Sequence, residues 1–270
     1  MKKVSIVLLL VGFLLFFSIN TTSATTIWAH GVNQTSGWYD AEKDSVTTYD
    51  DAMCWAAPAA NILFWSGWDA GYANEDLIFD FFVDEDSLRT GGQLDYAWNF
   101  WFDGSQLGGH FSGSSHTGYY PTADYAANYQ EDMFPGSDAM SDISILLQDD
   151  WGVGIGVTLL GTSSSHALTL WGIETDSNGD FTGIWLTDSD NDKDGPDPRP
   201  NSLNYFDVEF IGAMWRLNDF RGDANLWYID DWQALRMKED ISLIPEPSTM
   251  LLLGVGLIGL AGATRRKLKK

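Results

Sequence analysis

The chain has 270 residues, of which 44% are hydrophobic and 14% aromatic, so it holds enough apolar material for a substantial core. Asp and Glu outnumber Lys and Arg by 38 to 15, and the formal net charge is −23. The aromatic content excludes a disordered chain, and the charge excludes a protein that binds nucleic acid or an anionic membrane surface.

The N-terminus has the pattern of a secretory signal peptide. Two lysines precede residues 4–17, which are apolar apart from one serine and one glycine, and Thr22-Ser23-Ala24 is a small-residue cleavage site. We therefore predict that residues 1–24 are a signal peptide and that the mature chain begins near Thr25. An uncleaved membrane anchor is the alternative.

Helical patterns dominate the first half of the mature chain. Asp50 and Asp51 are candidate N-caps for a first helix, and Pro58 requires that helix to start between residues 53 and 57, where a proline N–H is not needed. Helices are predicted at residues 54–65, 75–83 and 140–149, and an aromatic-rich segment at 93–102 follows Gly91-Gly92.

Strand patterns dominate the second half, and the Asn178-Gly179 pair predicts a hairpin turn at residues 176–180. Helices that precede an antiparallel sheet predict an α+β fold, with an N-terminal helical layer packed on a C-terminal sheet and a cleft where the layers meet. Strands are predicted at residues 152–160, 167–174, 181–187, 205–210 and 224–229.

Cys54 is the only cysteine, and it lies where the first helix is predicted to begin. A thiol at a helix N-terminus and beside an imidazolium is favoured as the thiolate, which is the nucleophilic form. Outside the cytosol an unpaired thiol is a liability unless it has a role. A buried structural cysteine is the alternative.

His166 is the best partner for Cys54 among the four histidines, because it opens an apolar strand directly after a polar run. The hairpin at residues 176–180 returns the end of the next strand to the start of this one, so that Asp188 or Asp190 can reach His166. A carboxylate there fixes the imidazole tautomer and stabilises the imidazolium. The order Cys, His, Asp is that of papain-like enzymes.

Three blocks of sequence, at residues 37–43, 50–65 and 166–190, resemble the IdeS-type immunoglobulin-degrading cysteine endopeptidases, which have a papain-like fold. Gly91-Gly92 is a further, weaker match. The chain differs at Trp55, the residue after the cysteine, where that family has glycine. Nothing in the sequence indicates that immunoglobulin is the substrate.

The resemblance implies a role for each matched residue. It places Cys54 as nucleophile, His166 as general base, Asp188 as the carboxylate that orients the imidazole and Asp190 as a supporting carboxylate. It implies that Lys43 helps to form the oxyanion hole; a solvated surface charge is the alternative. It implies a protein or peptide substrate and no required cofactor.

The acidic segment that begins at Asp190 matches the first half of a calcium-binding loop, with candidate ligands Asp190, Asp192 and Asp194. Its twelfth position is Asn201 rather than glutamate, and three prolines crowd its second half. A solvated acidic turn is the alternative to a calcium site.

The C-terminus resembles the PEP-CTERM sorting signal: a Pro-Glu-Pro motif from Pro245, an apolar span at residues 250–263 and a basic tail. The resemblance implies a Gram-negative-type envelope, an exosortase-type sorting partner and membrane contact only through the terminal segments before processing. A plain C-terminal anchor, with the span as a transmembrane helix, is the alternative.

Removal of both ends leaves a peptidase domain at residues 25–244, with the sorting signal at 245–270. This domain has 8 Lys and Arg against 37 Asp and Glu, a formal charge of −29. We predict a secreted or surface-sorted cysteine endopeptidase with a Cys-His-Asp triad. The alternatives are an inactive envelope or biofilm-matrix module on the same fold and another acyl-transfer enzyme, such as an amidase or transglutaminase.

Overall fold

The computed structural model describes residues 24–43, 49–190, 201–223 and 226–239. The described residues up to Met237 form one compact unit, and Lys238 and Glu239 belong to a second. The helices within the described ranges are α1 (Ala56–Trp65), α2 (Glu75–Glu85), α3 (Leu94–Asp103) and α4 (Ala139–Gln148). The strands are β1 (Thr25–Trp28), β2 (Tyr129–Met133), β3 (Trp151–Leu159), β4 (Ser165–Thr175), β5 (Phe181–Thr187), β6 (Asn204–Ile211), β7 (Met214–Leu217) and β8 (Trp227–Arg236).

Six of these strands close into an antiparallel barrel. The strand order is β4, β3, β8, β7, β6, β5, and β5 pairs back with β4. The first half of β4 pairs with β3, and its second half pairs with β1 along the same edge. Strand β2 pairs with β8 outside the ring. Closure pairs the backbone groups that an open sheet would leave at its two edges.

The predicted papain-like α+β fold, with a helical layer packed on an open C-terminal sheet, is therefore wrong. The strands form a closed barrel, and each of the four helices described has only 10 or 11 residues. The prediction failed because two parts of the ring were not recognised. The sequence pattern did not predict the short β7, which pairs with β6 and β8, and it ended the last strand at residue 229. Without β7 and the rest of β8, the predicted strands could not be recognised as a ring.

Most of the individual elements agree with the sequence patterns. The predicted helices at 75–83 and 140–149 correspond to α2 and α4, and the aromatic-rich segment at 93–102 forms α3. The predicted hairpin is confirmed: the Asp176 N–H donates to the Asp180 carbonyl, and Gly179 has φ 89°, which favours glycine. The structure adds β1, β2 and β7, which the patterns did not predict.

Alternating glycines on β3 let the helices approach the barrel. A Cβ atom at Gly152 would collide with Ile62 of α1, and one at Gly154 would collide with Leu94 of α3. The side chains between these glycines, Val153 among them, are fully buried in an apolar cluster separate from the one that contains Ile62 and Leu94. One face of this strand is therefore a flat surface against which α1 and α3 pack, and Cys54 before α1 and Leu94 at the start of α3 line the same cleft.

Candidate active site

Cys54 lies in a turn immediately before α1, not within its first turn. The N-cap of α1 is Trp55, which makes no side-chain cap hydrogen bond, so the predicted capping by Asp50 and Asp51 is wrong. Backbone hydrogen bonds form the turn instead: Met53 donates to the Asp50 carbonyl, and Ala56 donates to the Met53 carbonyl. The thiol is therefore held on a backbone turn at the N-terminal end of the helix, where the helix dipole favours negative charge.

His166, the second residue of β4, lies beside Asp188, which directly follows β5. Oδ1 of Asp188 is 2.5 Å from Nε2 of His166, and both side chains are buried. The imidazole also interacts with the Cys54 thiol, which lines the same cleft. The hairpin between β4 and β5 thus brings the predicted histidine and carboxylate together, and α1 brings the thiol to them.

The charges in this chain of contacts reinforce one another. Burial alone would raise the pKa of the Cys54 thiol, but the hydrogen bond and charge of His166, aided by the charge of Lys43, leave it below its usual value. Burial lowers the pKa of His166, and its interactions with Asp188 and Cys54, which stabilise the protonated imidazole, outweigh this and raise it to about 9. Both shifts favour the thiolate and imidazolium form of the pair.

Lys43 and Asp190 lie next to this chain. The Lys43 ammonium, only 1% exposed, donates to the backbone carbonyl of Asp51 and forms an ion pair with Oδ1 of Asp190, each at 2.9 Å. Burial raises the pKa of Asp190, but the charge and hydrogen bond of Lys43 outweigh it and lower that pKa. The position of Lys43 excludes the alternative of a solvated surface charge. Its role at the oxyanion stays a prediction.

Asn61, on α1, ties together the three segments that carry the site. Its amide oxygen accepts from the Ala41 N–H (2.8 Å), and its amide nitrogen donates to Oγ1 of Thr169 on β4 (2.9 Å). The segment with Lys43, the helix behind Cys54 and the strand with His166 therefore share one buried side chain. This fixes the relative positions of the three groups without touching any of them.

Arg221 also contacts the site, and the sequence patterns did not predict it. It lies in the short turn Phe220–Gly222, which has 3-10 helical hydrogen bonding, and its guanidinium is 2.9 Å from Oδ2 of Asp190 and 3.5 Å from Oδ2 of Asp188. Its φ of 56° is in the left-handed region, which is unusual for arginine. The chain has few basic residues outside its two ends, and this scarcity is the sequence signal that could have pointed to Arg221.

Side chains of the site line a cleft of about 320 Å³: Lys43, Cys54, His166, Asp190 and Arg221. Gly91 and Gly92 also line it, and the ring of Trp55 fills the space that a side chain at Gly92 would need. The Trp55 Nε1–H donates to the carbonyl of Thr90 (2.9 Å), which holds this loop in place. The barrel forms the floor of the cleft through Gly156, Asp231 and Gln233 of β3 and β8.

A metal ion could be held, by distance alone, between His166, Asp188 and Asp190, whose ligand atoms lie within 4.8 Å of one another. However, both carboxylates already contact the Arg221 guanidinium, and His166 lies between Asp188 and the thiol. The contacts with two cationic side chains also occupy Asp190, which argues against its use in the candidate calcium loop. Asp192 and Asp194 lie outside the described residues.

The terminal predictions fall outside the described residues, apart from Ala24. None of the helices in the described ranges has the length and apolar character that crossing a bilayer requires. Residues 243–267 match the PEP-CTERM protein-sorting motif, so the chain is an export substrate that is sorted to the cell envelope or surface of a Gram-negative bacterium by exosortase-type machinery. No curated protein is similar enough to be matched to the chain.

Proposed function

We propose that the protein is an exported cysteine endopeptidase. The single observation that carries the proposal is the buried chain of contacts from the Cys54 thiol through His166 to Asp188, at the edge of a cleft. A nucleophile, a base and a group that orients the base are the three parts that covalent acyl transfer requires.

The reaction follows from the positions of these groups. The Cys54 thiolate attacks the carbonyl carbon of a peptide bond, and the negative charge that develops on the oxygen is near the Lys43 ammonium, which shares the cleft. His166 gives its proton to the leaving amine as the C–N bond breaks, which leaves a thioester. His166 then takes a proton from water, which hydrolyses the thioester and regenerates the thiolate.

The resemblance to IdeS-type endopeptidases supports this proposal through the order of its motifs, from Lys43 through Cys54 to His166 and Asp188. It does not support immunoglobulin as the substrate, and the barrel gives no support to a shared fold. Export to the cell envelope supports a substrate that is a protein or peptide outside the cytoplasm.

The test is cleavage of a peptide library by the purified exported protein, with and without prior treatment by iodoacetamide. We expect cleavage products that disappear after alkylation and in the Cys54→Ala variant. The His166→Ala variant should also lose cleavage. Its matched control is His30→Ala, because His30 is exposed and pairs only with Asp150 among the described residues. Cleavage that survives Cys54→Ala, or no cleavage of any peptide, contradicts the proposal.

A further inference from the structure

The floor of the cleft carries a carboxylate whose charge no other described side chain matches. Asp231 of β8 lines the cleft together with Gly156 and Gln233. We propose that these three residues form a subsite that binds a cationic side chain, lysine or arginine, of the substrate. The identification of the ligand as a peptide side chain rests on the proposed peptidase function.

A β-bulge lies directly beside Asp231, which lines the cleft with Gln233 whereas Ile229 is buried in the barrel core. The register between β3 and β8 shifts after the pair Gly156 and Asp231, so that Val157 pairs with Ile229 and Asp230 is the extra residue. Asp230 accepts a hydrogen bond from the Thr158 hydroxyl (3.0 Å) and does not line the cleft. Bulges are common beside functional sites because they re-aim a side chain in this way.

The neighbours of Asp231 make room for its carboxylate and orient it. A Cβ atom at position 156 would collide with the Asp231 carboxylate oxygens, so glycine there creates the space that they occupy. Gln233 is buried, and its Oε1 accepts from the Asp95 N–H (2.8 Å). This leaves the Gln233 amide nitrogen to donate to Asp231.

The cations of the cleft are already matched elsewhere. Lys43 forms an ion pair with Asp190, and Arg221 contacts Asp188 and Asp190. Within the described part of the chain, Asp231 forms no ion pair with a lysine or arginine. The catalytic side of the cleft therefore supplies no counter-charge to its floor.

Two further observations favour a cationic ligand. Burial, with the charges of Asp230 and Glu131, raises the pKa of Asp231 to about 6, so the ionised form is held at a cost that a bound ammonium or guanidinium would offset. The formal charge of −29 on residues 25–244 attracts basic peptides and repels acidic ones over longer distances.

The test compares blocked peptides that carry either arginine or citrulline, its neutral counterpart of nearly equal shape, at each position near the scissile bond. We expect kcat/KM to favour arginine by at least about 10-fold at one position, and Asp231→Asn to abolish this preference. Asp230→Asn is the matched control, because it removes the same charge one residue away, outside the cleft. It should keep the preference.

Gly156→Ala tests the geometry without any change of charge. The added methyl group would displace the Asp231 carboxylate, which is the end of a flexible side chain, so the preference for arginine should fall while the melting temperature stays close to that of the wild type. The subsite is overturned if no position favours arginine, or if Asp231→Asn and Asp230→Asn change the preference equally.

A second measurement separates this inference from the proposed function. Peptidyl chloromethyl ketones alkylate Cys54 once: the thiolate forms a C–S bond with the methylene carbon, and chloride leaves. Faster labelling by the arginine reagent than by the citrulline reagent, lost in Asp231→Asn, supports the subsite even if no peptide is hydrolysed. Peptide cleavage without this dependence on Asp231 supports the peptidase and overturns the subsite.

Discussion

The two sides of the cleft differ in how their charges are matched. On the catalytic side, Lys43, His166 and Arg221 alternate in space with Asp188 and Asp190, so each charge has an opposite partner before any substrate arrives. On the floor, the Asp231 carboxylate has polar neighbours but no cation among the described side chains. Matched charges hold reacting groups in a fixed geometry, whereas an unmatched charge discriminates between ligands. The contrast supports the proposals that one side carries the chemistry and that the other selects the ligand.

The sharpest way to break this contrast is to remove the carboxylate that orients His166. Asp188→Asn should lower kcat by roughly 10³- to 10⁴-fold, because an amide can present its N–H to the imidazole and stabilise the wrong tautomer. The Asp190→Asn variant should lose much less, since Oδ2 of Asp190 lies 3.9 Å from Nδ1 of His166 and its main partners are Lys43 and Arg221. Steady-state kinetics with one cleaved peptide measures both.

Equal losses in Asp188→Asn and Asp190→Asn would show that the two carboxylates act as one unit. Thermal unfolding with and without calcium completes the comparison. A calcium-dependent rise in melting temperature that Asp190→Asn removes, with activity retained, would place Asp190 in a metal site.

The second prediction concerns the thiolate and its pH dependence. In the wild type the pKa of Cys54 is lowered, so the rate of alkylation by iodoacetamide should rise at a lower pH than it does for a free thiol. His166→Ala removes the hydrogen bond and charge that offset burial, so the pKa should rise and the rate at pH 6 should fall by about 10²-fold. His30→Ala should keep the wild-type profile. An ordinary titration near pH 8.5 in the wild type would contradict the ion pair.

The third prediction tests Lys43 as a group that stabilises the transition state. Lys43→Met keeps much of the side-chain volume and removes the charge, so kcat should fall by about 10²-fold, with little change in KM. Because Lys43 is buried against Asp190, the melting temperature must be measured alongside. A rise in KM alone, with kcat unchanged, would assign Lys43 to substrate binding instead.

The residue types and their local order were sufficient to predict the centre of the site. Cys54 preceded a helix with small residues, and the predicted hairpin turn at residues 176–180 indicated that Asp188 or Asp190 could reach His166. The contact between His166 and Asp188 is confirmed, although the pairing of β4 with β5 contains two register shifts that the turn does not predict. The catalytic roles of these residues stay predictions.

The closed barrel and the rest of the cleft depend on contacts that no local pattern contains. Closure requires β7, four residues long, and a β8 that continues to Arg236. Asp231 lines the cleft while Ile229, two residues before it, is buried in the barrel core, because a bulge at Asp230 shifts the register of β8; a period-2 pattern assumes that no such shift occurs. Arg221 reaches the site across a turn with a left-handed backbone, about 30 residues after the carboxylates it contacts.

Substitution of Arg221 has the smallest expected effect, and it tests whether this charge helps to keep Asp188 ionised on the catalytic side. The burial of Asp188 raises its pKa, and the His166 contact and the Arg221 charge outweigh this and lower it. Arg221→Gln should therefore move this pKa upward, and the acid limb of the kcat/KM profile should shift to higher pH. Because Arg221 is about one-third exposed, solvent screens its charge, and activity at pH 7 should fall by no more than about 10-fold.

Arg216→Gln removes the same charge from a strand that does not line the cleft, and it should leave the acid limb in place. An unchanged acid limb in Arg221→Gln would mean that Asp188 is held ionised by His166 alone.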